Sequence, residues 1–167
     1  MEKINSLAIY KLAARKIKED DAIMFDIDDT LIETSTGKPI NDVIDILDVG
    51  RALGYTIVII TARPSFSENR KWTRGQLEKL DIYWDKLIYC PPEDKTVMKR
   101  ELGYNFVLSI GDLETDLGGS EYWIHLSRLQ TTTNNPKVQK LFTRRTMITE
   151  TAEGLQASNI QVYMYDD

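Results

Sequence analysis

The sequence predicts an α/β fold: a three-layer α/β/α sandwich around a mainly parallel, five-stranded sheet. Three observations carry this. Short apolar runs rich in branched residues recur along the chain and show no polar alternation, as in Tyr55–Ile60 (YTIVII), the mark of strands covered on both faces. Stretches with helical spacing separate these runs, which is the rhythm of βαβ units. Length and composition agree: 167 residues, 42% hydrophobic and 28% charged, suit one soluble domain that buries roughly 70% of its extended surface without a disulfide or metal staple.

The elements follow in order. Residues 4–18 place Ile4, Leu7, Ala8, Leu12 and Ile17 near helical spacing among Lys, Arg and Glu, which predicts an amphipathic helix that Asp20-Asp21 ends. Ala22–Asp26 is a buried strand whose carboxyl end is acidic. Gly37, Lys38 and Pro39 form a loop, after which Asn41 is expected to cap a helix to Leu53, with Gly54 just past its end. Tyr55–Ile60 is the second strand and Arg70–Leu80 the next helix. Lys86–Cys90 is a third strand closed by Pro91-Pro92, and Asp94–Leu102 a short helix stopped by Gly103. Asn105–Ile110 and Tyr122–Leu126 complete the five, and Ile160–Tyr165 reads as an added strand.

Charge and cysteine limit the setting. Lys+Arg number 21 against 26 Asp+Glu, a formal net charge of −5 that argues against broad adhesion to nucleic acid or anionic membrane. Cys90 stands alone, so no intrachain disulfide forms. The N-terminus lacks the apolar run of a signal peptide and no stretch reaches membrane-span length, so a cytoplasmic protein is expected, of host or viral origin.

In open α/β sheets ligands bind beyond the carboxyl ends of the strands. Strand one ends in Asp26, Asp28, Asp29 and Thr30; strand two in Thr61 and Arg63; strand three in Pro91, Pro92 and Lys95; strand four in Asp112 and Asp116. Carboxylates crowded together must be neutralised by protons or by a cation. Oxygen-only ligands without nearby His or Cys favour Mg²⁺. A clamp of Mg²⁺, a lysine and a hydroxyl suits phosphoryl transfer, with one Asp as nucleophile and the Asp two residues on as general acid and base. The residues themselves thus lead to Mg²⁺-assisted phosphoryl transfer.

The series Asp26-Ile27-Asp28-Asp29-Thr30-Leu31, Ile59-Ile60-Thr61-Ala62-Arg63, a lysine, and Gly111-Asp112-Leu113-Glu114-Thr115-Asp116 resembles the haloacid dehalogenase (HAD) superfamily of phosphohydrolases over about residues 22–126. The resemblance implies a Rossmann-like, HAD-like core with Asp26 as nucleophile, Asp28 as general acid/base and Thr61 bonded to the phosphoryl group. It implies Mg²⁺ held by Asp26, the backbone carbonyl of Asp28 and Asp112, with Asp116 in support. Lys95, nearer the end of strand three, is preferred over Lys99 as the phosphoryl-binding lysine; Thr30, Thr61 and Arg63 are the expected substrate contacts. The gaps Thr30–Thr61 and Thr61–Lys95 hold too little chain for a folded cap, so no large cap domain is expected.

The chain is read as one phosphatase domain over 1–167, with an N-terminal helix in 1–20 and a C-terminal extension over 130–167. Two branches look alike in detail: the acid-phosphatase branch, and the phosphatase domain of polynucleotide kinase-phosphatases. The expected activity is hydrolysis of a phosphomonoester through an aspartyl-phosphate. Alternatives are a polynucleotide 3′-phosphatase or nucleotidase, and a catalytically idle storage or interaction protein. An uncapped site favours a large phosphorylated partner, including a nucleic-acid end, or cover from a second copy of the chain; no membrane partner is expected. Trp72, Trp84 and Trp123 read as core or rim packing, His125 as a satisfied structural residue and Cys90 as buried and inert. Lys137–Arg145 reads as a solvated basic surface.

Overall fold

Apolar runs flanked by polar turns need cover on both faces, and the chain supplies it with helices on each side of one sheet. A computed structural model describes residues 2–128 and 160–166. The strands are β1 (Asp21–Phe25), β2 (Thr56–Thr61), β3 (Lys86–Tyr89), β4 (Asn105–Gly111), β5 (Tyr122–Arg128) and β6 (Ile160–Asp166). The helices are α1 (Glu2–Ala13), α2 (Asn41–Leu53), α3 (Ser67–Lys79) and α4 (Lys95–Leu102). The sheet order is β3-β2-β1-β4-β5-β6, with the first five strands parallel and β6 antiparallel to β5. The expected parallel five-stranded sheet is therefore present, and the added strand extends it to six.

Alternate residues of the central strands feed two cores. Ile23, Phe25, Ile57, Ile59 and Ile110 meet Leu12 of α1, Val43, Ile46 and Leu47 of α2, and Leu77 of α3. Ala22, Met24, Val58, Ile60 and Phe106 form the opposite face, where Leu102 of α4 packs. The β1–β4 register slips between Ala22 and Ile23, so Phe106 pairs with Ala22 but Leu108 with Ile23. This bulge turns both Val107 and Leu108 to the larger core. Full burial of each such side chain contributes about 1.5–3 kcal/mol, so the central strands hold the frame that positions the loops.

Several boundaries differ from the sequence reading. The first helix stops at Ala13 instead of reaching residue 18. Buried Asp21 accepts a hydrogen bond from Lys18 N at 2.8 Å and pairs with Arg15, wrapping 15–18 around the start of β1. Asn41 is not the cap of α2: it is the first helical residue, and Ile40 precedes it without a side-chain cap bond. Helix α3 begins at Ser67, three residues before Arg70, because its first turn is polar and gives no periodic apolar signal. A short 3₁₀ turn over Pro92–Asp94 leads into α4, which opens at Lys95. No helix among the described residues is long and apolar enough to cross a membrane. The basic segment Lys137–Arg145 lies outside the described residues.

Candidate active site

Chain order sets the place of the site. From β1 the sheet grows one way through β2 and β3, then the other way through β4 and β5. The loops after β1 and β4 therefore leave the sheet at the reversal, the place where open α/β sheets bind ligands. Asp26 follows β1, its N–H bonded to Ile110 O of β4 at 3.1 Å, and Asp112 follows β4 directly.

Asp26, Asp112 and Asp116 come together, each offering a carboxylate oxygen within 4.8 Å of the others. Asp116 is fully buried. A 3₁₀ turn over Glu114–Asp116 folds its side chain back, and its Oδ2 accepts from Leu113 N at 3.1 Å. Gly111 makes this fold-back feasible, because a Cβ there would collide with the Asp116 side chain. The loop after β1 is equally tight: Asp29 adopts a left-handed backbone with φ of 57°, a conformation Asp tolerates better than most residues. Its N–H bonds Ile32 O at 2.7 Å and its Oδ1 accepts from Thr34 N.

Two lysines rise from α4 one turn apart, and both are buried. Lys95 Nζ donates to Asp26 Oδ1 at 2.9 Å and to Asp116 Oδ1. Lys99 Nζ donates to Ser109 Oγ at 2.9 Å, Asp116 O at 2.6 Å and Gly118 O at 2.7 Å. Only Lys95 thus touches Asp26. Burial pushes Asp26 well above the ordinary carboxylate value, the Asp116 charge adds to the rise, and Lys95 pulls against it. Asp112 is also raised, first by burial, while its hydrogen bond with Asp26 works the other way. Burial lowers Lys99 to about 7. Lys95 is raised, because the attraction of Asp26 and Asp116 outweighs the burial that would lower it.

Asp28 does not join the three-carboxylate group. Its Oδ1 and Oδ2 accept from Arg63 NH2 at 2.8 Å and Arg63 Nε at 3.0 Å, the two-pronged pairing to which a guanidinium is suited. Arg63 is held in turn by Thr73 Oγ1 at 3.2 Å and Gln76 Oε1 at 2.9 Å, both on α3. Its guanidinium carbon lies 5.0 Å from the ring centre of Trp72, which is 59% exposed. Thr61, at the end of β2, is buried and its Oγ1 accepts from Arg63 N at 3.1 Å. Thr30 is fully buried, and its hydroxyl makes no hydrogen bond among the described residues.

Two features escaped the sequence reading: the service of Arg63 and α3 to Asp28, and the separate duty of Lys99. The Arg63 fork is set by the turn after β2, which periodicity does not encode. The four-residue spacing of Lys95 and Lys99 places them on one helical face but does not say which acceptors each reaches. His125 is buried and its Nε2 lies 3.1 Å from Asp112 O, a structural contact behind the acidic loop. Cys90 is half-buried, and burial raises its thiol.

Three oxygen donors of this kind, with two of the carboxyls pushed up by burial, are able to coordinate a divalent cation. No family model matches the chain. No curated protein matches it either. Among solved structures, a chain from the structure of the Pnkp1/Rnl/Hen1 complex is similar, at 20% sequence identity and a TM-score of 0.49. The match covers 60% of this chain and 42% of that one. The mainly parallel α/β architecture stands on the strand order and register of this chain.

Proposed function

We propose that the protein is a Mg²⁺-dependent phosphomonoester hydrolase working through an aspartyl-phosphate on Asp26. The observation that carries this reading is the meeting of Asp26, Asp112, Asp116 and Lys95 at the sheet reversal. Asp26, the backbone carbonyl of Asp28 and Asp112 would hold Mg²⁺, with Asp116 in support. When bound, the ion would offset the charge of the phosphoryl oxygens and of the carboxylates around them.

The chain's own groups divide the remaining work. An Asp26 carboxylate oxygen attacks phosphorus as the bond to the leaving oxygen breaks, and Asp28, protonated, gives that oxygen its proton. Water then attacks the acyl phosphate, Asp28 takes the proton, and breaking the P–O bond to Asp26 releases phosphate. Lys95 and the Thr61 hydroxyl stabilise charge on the transferred group. Pairing with Arg63 leaves this role open to Asp28, since each carboxylate oxygen has a second lone pair.

The test is phosphate release from an aryl phosphate with and without Mg²⁺, in wild type and Asp26→Asn. Turnover is expected only with Mg²⁺ and only with Asp26 intact, with the far-UV spectrum unchanged in the variant. Undiminished turnover by Asp26→Asn would remove it as nucleophile.

A second reading narrows the leaving group to a nucleotide or nucleic-acid end. The exposed Trp72 ring beside the Arg63–Asp28 pair supports it, since such a ring offers a base a stacking face and a gain of about 1–3 kcal/mol. Comparing a 3′-phosphorylated oligonucleotide with sugar phosphates tests it: kcat/KM for the oligonucleotide is expected to be higher and to fall about tenfold or more in Trp72→Ala.

A further inference from the structure

Lys99 is a buried lysine that the proposed reaction does not use, yet its surroundings are closely fitted. Its Nζ lies 2.6–2.9 Å from three acceptors: one on β4 and two main-chain carbonyls of the acidic loop. The junction is close-packed. A Cβ on Gly118 would lie 2.7 Å from Thr96 Oγ1, and one on Gly119 would touch the Lys99 stem at 3.7 Å. Asp116 is consequently gripped twice from the same helix, by Lys95 at its carboxylate and by Lys99 at its carbonyl.

We infer that Lys99 is a positioning residue that sets the divalent-cation affinity of the Asp26–Asp112–Asp116 group by fixing the main chain of the acidic loop. The inference rests on the metal-dependent reading above. Lys99 Nζ is engaged by its three acceptors and does not bond any of the three carboxylates. Its influence passes through the loop: Asp116 O ends the turn that aims Asp116 back at Asp26, and Gly118 O lies two residues past it. With the ammonium gone, those carbonyls lose their shared donor and the oxygen donors lose their spacing. Loss of such outer partners typically weakens a metal site about 10–100-fold.

The experiment is calorimetric titration of the full chain with MgCl₂, comparing wild type with Lys99→Met, which keeps the length of the side chain without its charge. The expected result is a Kd for Mg²⁺ raised about tenfold or more at a temperature well below unfolding. The Mg²⁺ concentration for half-maximal turnover should rise by the same factor, with KM for substrate at saturating Mg²⁺ within about twofold. A merely structural lysine would lower Tm and leave the Kd unchanged, and a folded Lys99→Met with wild-type affinity overturns the inference. Should that variant fail to fold, Ser109→Ala removes one acceptor only. A Kd raised about threefold or more there supports the inference and an unchanged one overturns it. Wild type that binds no Mg²⁺ at millimolar concentration defeats the metal-dependent reading itself, a different result from equal affinities in wild type and variant.

Discussion

At the scale of single residues, Arg63 shows how a side chain suited to phosphate can be given another duty. Both prongs of its guanidinium are taken by Asp28 and a third direction by Thr73 and Gln76. Arg63 is therefore expected to fix the rotamer of Asp28 more than to grip substrate. Arg63→Ala should lower kcat at least about tenfold, a part of the 10²–10⁴-fold that acid–base catalysis commonly supplies, with a smaller change in KM. Arg63→Lys should recover little, because an ammonium cannot reproduce the fork. Steady-state kinetics on an aryl phosphate decide this: a rise in KM at constant kcat would return Arg63 to substrate binding.

At the scale of elements, the strands were legible because Val, Ile and Leu runs need cover on both sides, and YTIVII became β2 almost residue for residue. The acids at the ends of β1 and β4 were legible for the same reason: a charge that stops an apolar run marks the edge of the sheet. Helix starts were harder to read, since α2 and α3 begin without a side-chain cap. Close approaches were invisible in the sequence, being properties of packing. Gly50 of α2 lies where a Cβ would come 2.5 Å from Ile23 Cδ1, and Gly111 lies against Asp116. Gly50→Ala is expected to cost about 1–3 kcal/mol in urea unfolding, because the helix must lift from β1 or Ile23 must change rotamer. Gly111→Ala should cost a similar amount and also weaken Mg²⁺ binding, a combination that Gly50→Ala should not show.

At the scale of the whole molecule, charge and protons are linked to stability. Asp26 and Asp112 have raised pKa values in the folded chain, so the native state holds more protons than the unfolded state once pH exceeds the ordinary 3.8. Without a divalent cation, this contribution makes stability fall as pH rises through that window. Lys99 acts in the opposite sense: lowered to about 7 from 10.5, it makes stability rise with pH between those values. A cation competes with protons for the carboxylates, so the Mg²⁺-induced increase in Tm should be small near pH 5 and larger at pH 7.5. Thermal melts with Mg²⁺ or EDTA across that range test the sign; an increase in Tm that shrinks as pH rises would contradict it.

The sheet order also has a consequence for synthesis. β1 receives β2 early, but its other edge has no partner until Asn105–Gly111 has left the ribosome. A nascent chain that ends before β4 would carry a bare strand edge at what becomes the middle of the sheet, the kind of surface to which chaperones and neighbouring chains adhere. The three-carboxylate group is accordingly among the last parts to assemble, and premature termination before β4 would yield an adhesive fragment in place of a weakened protein.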